Sequence, residues 1–430
     1  MKVFMLGWEF PPFISGGLGT ACYGLTKAMD QLGIKITFVL PKMVDSRYAT
    51  HVKLLSPHCL ASAASFKTRN LTNVTFRAIN SPLQPYSTPE VYQQQIEETL
   101  RQKQIQSGKT GLSGQVISGT DYSGNMYTEV HRYAAIATEL AADEEFEVVH
   151  AHDWMTYPAG IAVAAMSRKP LIVHVHSTEF DRSGEHVNQM IYDIERKGMH
   201  AADKIIAVSY LTRNIIISRY GVSGDKVEVV HNGVERNGGS NWPFEQNVID
   251  NDEKIVLFLG RITMQKGPEY FLKAAKKVLE VIDNVKFVMA GSGDMMHRAV
   301  EMAAELGIGS KVLFTGFLRG EDVRKIYQMA DLFVMPSVSE PFGLVPLEAL
   351  ENDVPVIISK QSGVSEVLRH ALKVDFWDVN EIANKVIAVL RYPPLKITLQ
   401  SHGNFEVRKL RWKDSAEKCA RIYDETLVAV

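Results

Sequence analysis

Short runs rich in Val, Ile, Leu and Phe alternate with longer helix-patterned stretches along almost the whole chain. The first half places such runs at Lys2–Leu6, Lys35–Leu40, Asn73–Ile79, Glu147–His150, Leu171–Val175, Lys204–Val208 and Val227–Val230. Many are continuously apolar, as parallel strands covered on both faces are. Helical patterns intervene at Leu18–Leu32, Tyr127–Ala142, Met155–Ser167, Val187–Met199 and Leu211–Arg219. The rhythm then repeats, with strands at Lys254–Leu259, Val285–Ala290, Lys311–Phe314, Leu332–Met335, Pro355–Ile358 and Leu372–Val374. Helices expected there are Pro268–Val281, Asp294–Leu306, Glu321–Met329, Gly343–Glu351 and Val379–Leu390. The fold class this predicts is α/β, with two doubly wound Rossmann-like domains.

Length agrees, because 430 residues exceed what one core supports. The stretch from His231 to Pro243 is dense in Asn and Gly and reads as the join. The expected division is 1–235, a linker at 236–253, 254–405, and a helical end at 406–430 able to pack back on the first domain. Two such domains would leave a cleft between the carboxyl ends of their sheets. The polar segment 81–124 reads as an excursion from the first domain, covering that cleft or serving self-association.

The formal charge of −2 and pI near 6.7 argue against a polyanion-binding surface, so nucleic acid is not an expected partner. Cys22, Cys59 and Cys419 are odd in number and far apart, which fits a reducing cytoplasm. The run Val3–Leu6 stops at Gly7, too short for a signal-peptide core, and no stretch reaches the ~18 apolar residues a membrane span needs.

Candidate chemistry gathers at the expected carboxyl ends of strands. Glu340 and Glu348 flank Phe342-Gly343-Leu344 just after the strand Leu332–Met335. A helix opening near Gly343 offers unpaired N–H groups and a partial positive charge to a phosphate. Glu340 then lies on the loop, where a sugar hydroxyl could meet it, and Glu348 about one and a half turns into the helix, facing a ribose. The plainer alternative is that Glu348 merely complements the helix dipole and Glu340 is a solvated loop charge. After Lys254–Leu259 comes Gly260-Arg261, then Lys266-Gly267, with two cations able to neutralise a diphosphate. Gly291-Ser292-Gly293 is a further strand-end turn, and Ser15-Gly16-Gly17-Leu18-Gly19 opens the first helix. The pairs His150/His152 and His174/His176 set imidazoles on one side of a strand each, so a zinc site is the rival reading. Asp250-Asn251-Asp252 has the form of a metal-binding D-x-D but reads as a solvated turn.

Taken in order, Gly16-Gly17-Leu18-Gly19, His152-Asp153-Trp154, Asn232-Gly233-Val234, Gly260-Arg261 with Lys266-Gly267, Gly291-Ser292-Gly293 and Glu340…Glu348 resemble the retaining GT-B glycosyltransferases. The nearest branch holds the glycogen and starch synthases and glycosyltransferase family 4. The resemblance implies retaining transfer of a sugar, most simply glucose from ADP- or UDP-glucose, to a carbohydrate acceptor such as an α-glucan. It implies no cofactor and no metal. By the same resemblance Arg261 and Lys266 stabilise the diphosphate, Glu340 holds the sugar hydroxyls and Glu348 the ribose. Backbone at Gly343-Leu344, Gly16-Gly17 and Gly291 approaches the donor, and His152 lies beside the sugar.

One departure stands out. Bacterial glycogen synthases carry a lysine before the paired glycines, and here Ile14-Ser15 precede them, which weakens an ADP-glucose preference. Transfer to another acceptor, a sugar-nucleotide epimerase and a metal-dependent hydrolase using the four histidines are the competing functions.

Overall fold

The computed structural model describes residues 1–10, 17–41, 54–55, 74–78, 126–234 and 253–429. Gly16, Cys59, the segment 81–124, most of the linker and Asp250-Asn251-Asp252 fall outside the described residues.

Contacts divide the chain into two compact units. The first comprises Met1–Val175, Asp193–Ile206 and Ala416–Val430, and the second comprises His176–Tyr192 with Ala207–Ser415. Membership therefore departs from simple chain order. The segment after His176 belongs with the later half, and the C-terminal end belongs with the earlier one.

The first sheet is built from β1 (Lys2–Leu6), β2 (Lys35–Leu40), β3 (Leu54–Leu55), β4 (Val74–Ala78), β5 (Val148–His152), β6 (Leu171–Val175), β7 (Lys204–Ala207) and β8 (Val227–Val229). Their order is β3-β4-β2-β1-β5-β6-β7-β8, and β1 pairs in parallel with both β2 and β5. The second sheet holds β9 (Lys254–Leu259), β10 (Val285–Ala290), β11 (Val312–Gly316), β12 (Leu332–Met335), β13 (Val356–Ser359) and β14 (Leu372–Val374). Its order is β11-β10-β9-β12-β13-β14, with parallel pairing throughout. The α/β doubly wound class expected from the strand rhythm is what the chain forms.

Apolar runs make these strands because both faces of the second sheet are covered. Val256, Phe258, Phe287, Met289, Leu332, Val334 and Ile357 enter one core cluster. Their immediate neighbours Leu257, Val288, Ala290, Phe333, Met335, Val356 and Ile358 enter the other. The period-two alternation of a strand thus separates two hydrophobic cores rather than core from solvent.

Several elements differ from expectation for identifiable reasons. The helix anticipated at Val187–Met199 is Gln189–Ala201, preceded by a separate turn, Glu179–Ser183. Thr178 closes that turn with a capping box to Asp181, three positions further on. The helix Pro393–Val407 was not anticipated, because two prolines look like a breaker although they fit a first helical turn. Strand β5 runs on to His152, so both His150 and His152 lie within it. Among the described residues no helix is long and apolar enough to cross a membrane.

Candidate active site

In an open parallel sheet the order of connection reverses at one point, and the ends of the two flanking strands leave a crevice there. In the second sheet that point lies between β9 and β12. The loop leaving β9 carries Arg261 and a single 3-10 turn, Met264–Lys266. Gly267 ends the turn at φ 67°, where a Cβ would stand 2.1 Å from the Pro336 carbonyl oxygen. Only glycine lets this loop lie on the end of β12. The Val338 amide donates to the Gln265 carbonyl at 2.9 Å and stitches the two loops together. Lys266 Nζ in consequence meets Glu340 Oε2, to which Ser337 Oγ also donates at 3.4 Å. The Lys266 and Glu340 side chains are 20% and 9% exposed, so this ion pair is largely withdrawn from water. Arg261 Nη2 donates to Gln265 Oε1 at 3.1 Å in the same loop.

Gly343 adopts φ 102°, and a Cβ there would lie 3.2 Å from Glu340 Cγ. That requirement for a left-handed turn delays the helix, which begins at Val345 rather than Gly343. Pro346 occupies its first turn, and the Leu347 and Glu348 amides turn back on the Leu344 carbonyl at 2.9 and 3.1 Å. Glu348 lies within the first turn, not further along as expected. Its carboxylate accepts a 3.0 Å hydrogen bond from the Tyr327 phenol.

Burial raises the Glu348 pKa above its ordinary value, and the Tyr327 hydrogen bond partly offsets the rise. An acid raised on folding binds more protons in the native state than in the unfolded one. Stability therefore falls as pH climbs from the ordinary carboxylate pKa through the raised one. Tyr327→Phe removes the offsetting bond and raises the folded value further. The variant should lose more stability at pH 7 than at pH 4, read from urea unfolding at both. Equal losses at the two pH values would contradict this account.

The first unit holds the other expected residues. Gly17 is the first residue of the helix Gly17–Gln31 and is exposed. His152 is 0% exposed, and its ring stacks on His150 at 4.3 Å and His174 at 5.2 Å between centroids. The stack follows from pairing, since His150 and His152 share a face of β5 and His152 is in register with His174 on β6. His150 Nδ1 lies 2.5 Å from the Tyr423 hydroxyl.

Ring nitrogens of His150, His152 and His174 come within 4.8 Å of one another, close enough to raise the question of a metal. Imidazole lone pairs point outward in the plane of the ring. The three rings lie within 29° of parallel, so their lone pairs do not converge on a single point, and tetrahedral zinc does not fit. His176, the fourth candidate, is pushed down to about 3 by burial.

Two acids of the first unit were given no role from the sequence, although Asp153 stands in the His152-Asp153-Trp154 motif. Glu9, 3% exposed, accepts from the Gly19 amide at 3.1 Å and so occupies the start of the first helix. No spacing rule marks it. Asp153, 5% exposed, follows β5 with φ 58° and ψ 169°, a conformation that glycine adopts and other residues rarely do. Its amide donates to the His174 carbonyl and its carbonyl accepts from the Thr156 amide, each at 3.0 Å. Strain of this kind costs ~1–3 kcal/mol and persists only where the surrounding structure holds it. Asp153→Gly and Asp153→Ala both delete the carboxylate, but only alanine keeps the strain. The glycine variant should be the more stable by ~1–2 kcal/mol in urea unfolding. An alanine variant of equal stability would show the backbone to be relaxed.

The structure thus brings Lys266, Glu340 and Gly343 together, with Arg261 linked through Gln265. Glu348 is engaged by Tyr327, and Gly291 belongs to the neighbouring strand end, where its amide donates to the Gly316 carbonyl at 2.8 Å.

Comparison with known proteins gives two adjoining matches. A family model described as glycosyl transferases group 1 covers residues 243–402, and one described as glycosyltransferase family 4 covers 114–237. An uncharacterized glycosyltransferase of Methanocaldococcus jannaschii is 29% identical, over 98% of both chains. A glycogen synthase of Mycobacterium tuberculosis is 23% identical over 86% of this chain and 80% of its own. Among solved structures, Anabaena HepE in complex with UDP and glucose superposes with a TM-score of 0.68 at 18% identity, each chain covered fully.

Proposed function

Because the chain belongs to the group 1 and family 4 glycosyltransferases of GT-B fold, we propose that it moves a glucosyl unit from a nucleotide-diphosphate sugar to an α-glucan, with retention and without a metal. The carrying observation is the Lys266–Glu340 contact across the switch point of the second sheet.

An ammonium has three donors, so Lys266 can keep Glu340 while pointing another proton at a diphosphate oxygen. In a site 20% exposed on the lysine side, that charge is worth far more to a departing diphosphate than in water. Glu340, fixed by Lys266 and Ser337, presents its remaining acceptor capacity to sugar hydroxyls. Arg261 adds a second cation from the same loop, and the Gly343-Leu344 backbone approaches the phosphates. Glu348 with Tyr327 lies a helical turn away, suited to a ribose hydroxyl. Gly16, Gly17, Gly291 and His152 hold their expected roles through the family resemblance alone. With a lysine and an arginine on the diphosphate, leaving-group charge is met by the protein itself. The departing phosphate then takes the acceptor's proton on the face it leaves. A cytoplasmic location fits this chemistry.

A second reading keeps the donor and changes the acceptor. It is favoured by Ile14-Ser15, which replace the lysine that bacterial glycogen synthases carry before the paired glycines. One experiment separates these. ADP-, UDP- and GDP-glucose are each offered with and without glucan primer, and nucleotide release is measured alongside product size. Primer-dependent release with chain extension supports the glucan reading. Release that ignores primer points to another acceptor, conversion of donor alone to an epimerase, and no turnover of any donor sinks both readings.

A further inference from the structure

We propose that Asp181 is a positioning residue for the Lys266–Glu340 pair, acting through Ser339. The inference rests on the reading of that pair as the donor site.

The short helix Glu179–Ser183 needs a cap, and Thr178 with Asp181 supplies one in which each side chain meets the other's backbone. One carboxylate oxygen suffices for this. Asp181 Oδ2 accepts from the Thr178 amide at 2.7 Å and from Thr178 Oγ1 at 2.8 Å. The second oxygen, Oδ1, reaches out of the helix and accepts from Ser339 Oγ at 2.5 Å. Asp181 and Thr178 are buried, 2% and 0% exposed, so the carboxylate end of the contact is sheltered from water, while Ser339 is half-buried. Capping alone does not call for that depth of burial, since a cap works equally well at a surface.

What the second oxygen holds is the turn that carries Glu340. Val338 is fixed by its amide bond to the Gln265 carbonyl, and Glu340 by its amide bond to the Gln361 carbonyl, each at 2.9 Å. Ser339 lies between them, and its hydroxyl is anchored to Asp181. Three consecutive residues are therefore held from three directions, and the Glu340 carboxylate emerges from the last of them toward Lys266. The helix bearing Asp181 also packs directly on the 3-10 turn Met264–Lys266. One short element thus contacts both the turn that ends in Lys266 and the residue that precedes Glu340. Placement errors near 1 Å can cost on the order of 10² in rate, so a carboxylate held this way is preorganised for its task.

A purely structural cap predicts something different, namely that Ser339 is dispensable. Ser339→Ala deletes the bond while leaving Asp181 its Thr178 partners, so folding is preserved. Ser339→Thr restores the hydroxyl. Full-length protein is compared by amide hydrogen exchange across residues 337–343 and by sugar-transfer kinetics over a range of donor concentration. Ser339→Ala should exchange faster in that segment and lose kcat by on the order of 10- to 10²-fold, with donor KM nearly unchanged. Ser339→Thr should return both readouts toward wild type, and Asp181→Asn added to Ser339→Ala should cost little more kcat. Unchanged exchange in Ser339→Ala overturns the inference, as does unchanged kcat in an active enzyme. A wild-type protein that turns over no nucleotide sugar counts against the proposed function instead, and the exchange measurement alone then decides the role of Asp181.

Discussion

Lys266→Met is expected to lower sugar transfer by roughly 10²–10³, the usual cost of losing one preorganised group that stabilises charge in the transition state. Stability should fall as well. Glu340 would lose its cation, with its side chain 9% exposed and the Ser337 hydroxyl at 3.4 Å as its remaining partner in the pair's place. Breaking a buried pair from one side typically costs ~3–5 kcal/mol. Glu340→Gln should impair turnover comparably, and it leaves the more exposed lysine, at 20%, able to reach water. The informative variant is the double one. Lys266→Met with Glu340→Gln removes both charges and should regain most of the lost stability without regaining turnover. Activity and urea stability would then separate, which a pair serving only the fold cannot do. Near-normal turnover by either single variant with a proven donor would remove the basis for the assignment.

Gly291→Ala should be the most damaging single methyl group in the second unit. Gly291 adopts φ 144°, and a Cβ built there stands 1.8 Å from the Gly260 carbonyl oxygen. Gly260 itself follows β9 at φ 149° and donates its amide to the Ala290 carbonyl at 3.0 Å. The ends of β9 and β10 thus lie against each other with no room for a side chain. The Ile262 amide continues the contact, donating to the Ser292 carbonyl at 2.9 Å. A methyl group here must force apart two main chains, not a flexible side chain, and the loop it displaces is the one bearing Arg261 and Lys266. The expected loss exceeds ~3 kcal/mol, combining backbone strain with overpacking. Gly309→Ala is the control, because nothing lies within 4 Å of its Cβ position and its φ is not positive. It should stay within ~1 kcal/mol of wild type. Equal urea midpoints for the two variants would refute the argument.

Both expectations draw on the sequence unequally. Arg261, Lys266, Glu340 and Gly343 were legible because each is a charged or conformationally special residue placed just after an apolar run. A strand followed by such a residue announces the carboxyl edge of a sheet. Asp181 and Ser339 were not legible. They are 158 positions apart, and nothing local in either announces the other. Glu9 is similar, since its partner is a backbone amide ten residues on. Asp153 was noticed for its company in a motif, while its strained backbone is a property of how β5 ends. The histidines show the limit from the other side. Their spacing suggested convergent ligands, whereas register between β5 and β6 laid the rings in a near-parallel stack.

What the order of residues determined on its own was the count and kind of layers. Apolar runs too short for helices and too uniform for one-sided strands can only be buried between helices, and that burial is a local demand each segment makes for itself. What only the tertiary structure decided was which strand ends meet. The reversal of strand order between β9 and β12 brings Lys266 onto Glu340 across 74 positions of chain. It is set by how helices and sheet share two cores, a global packing condition that no window of sequence contains.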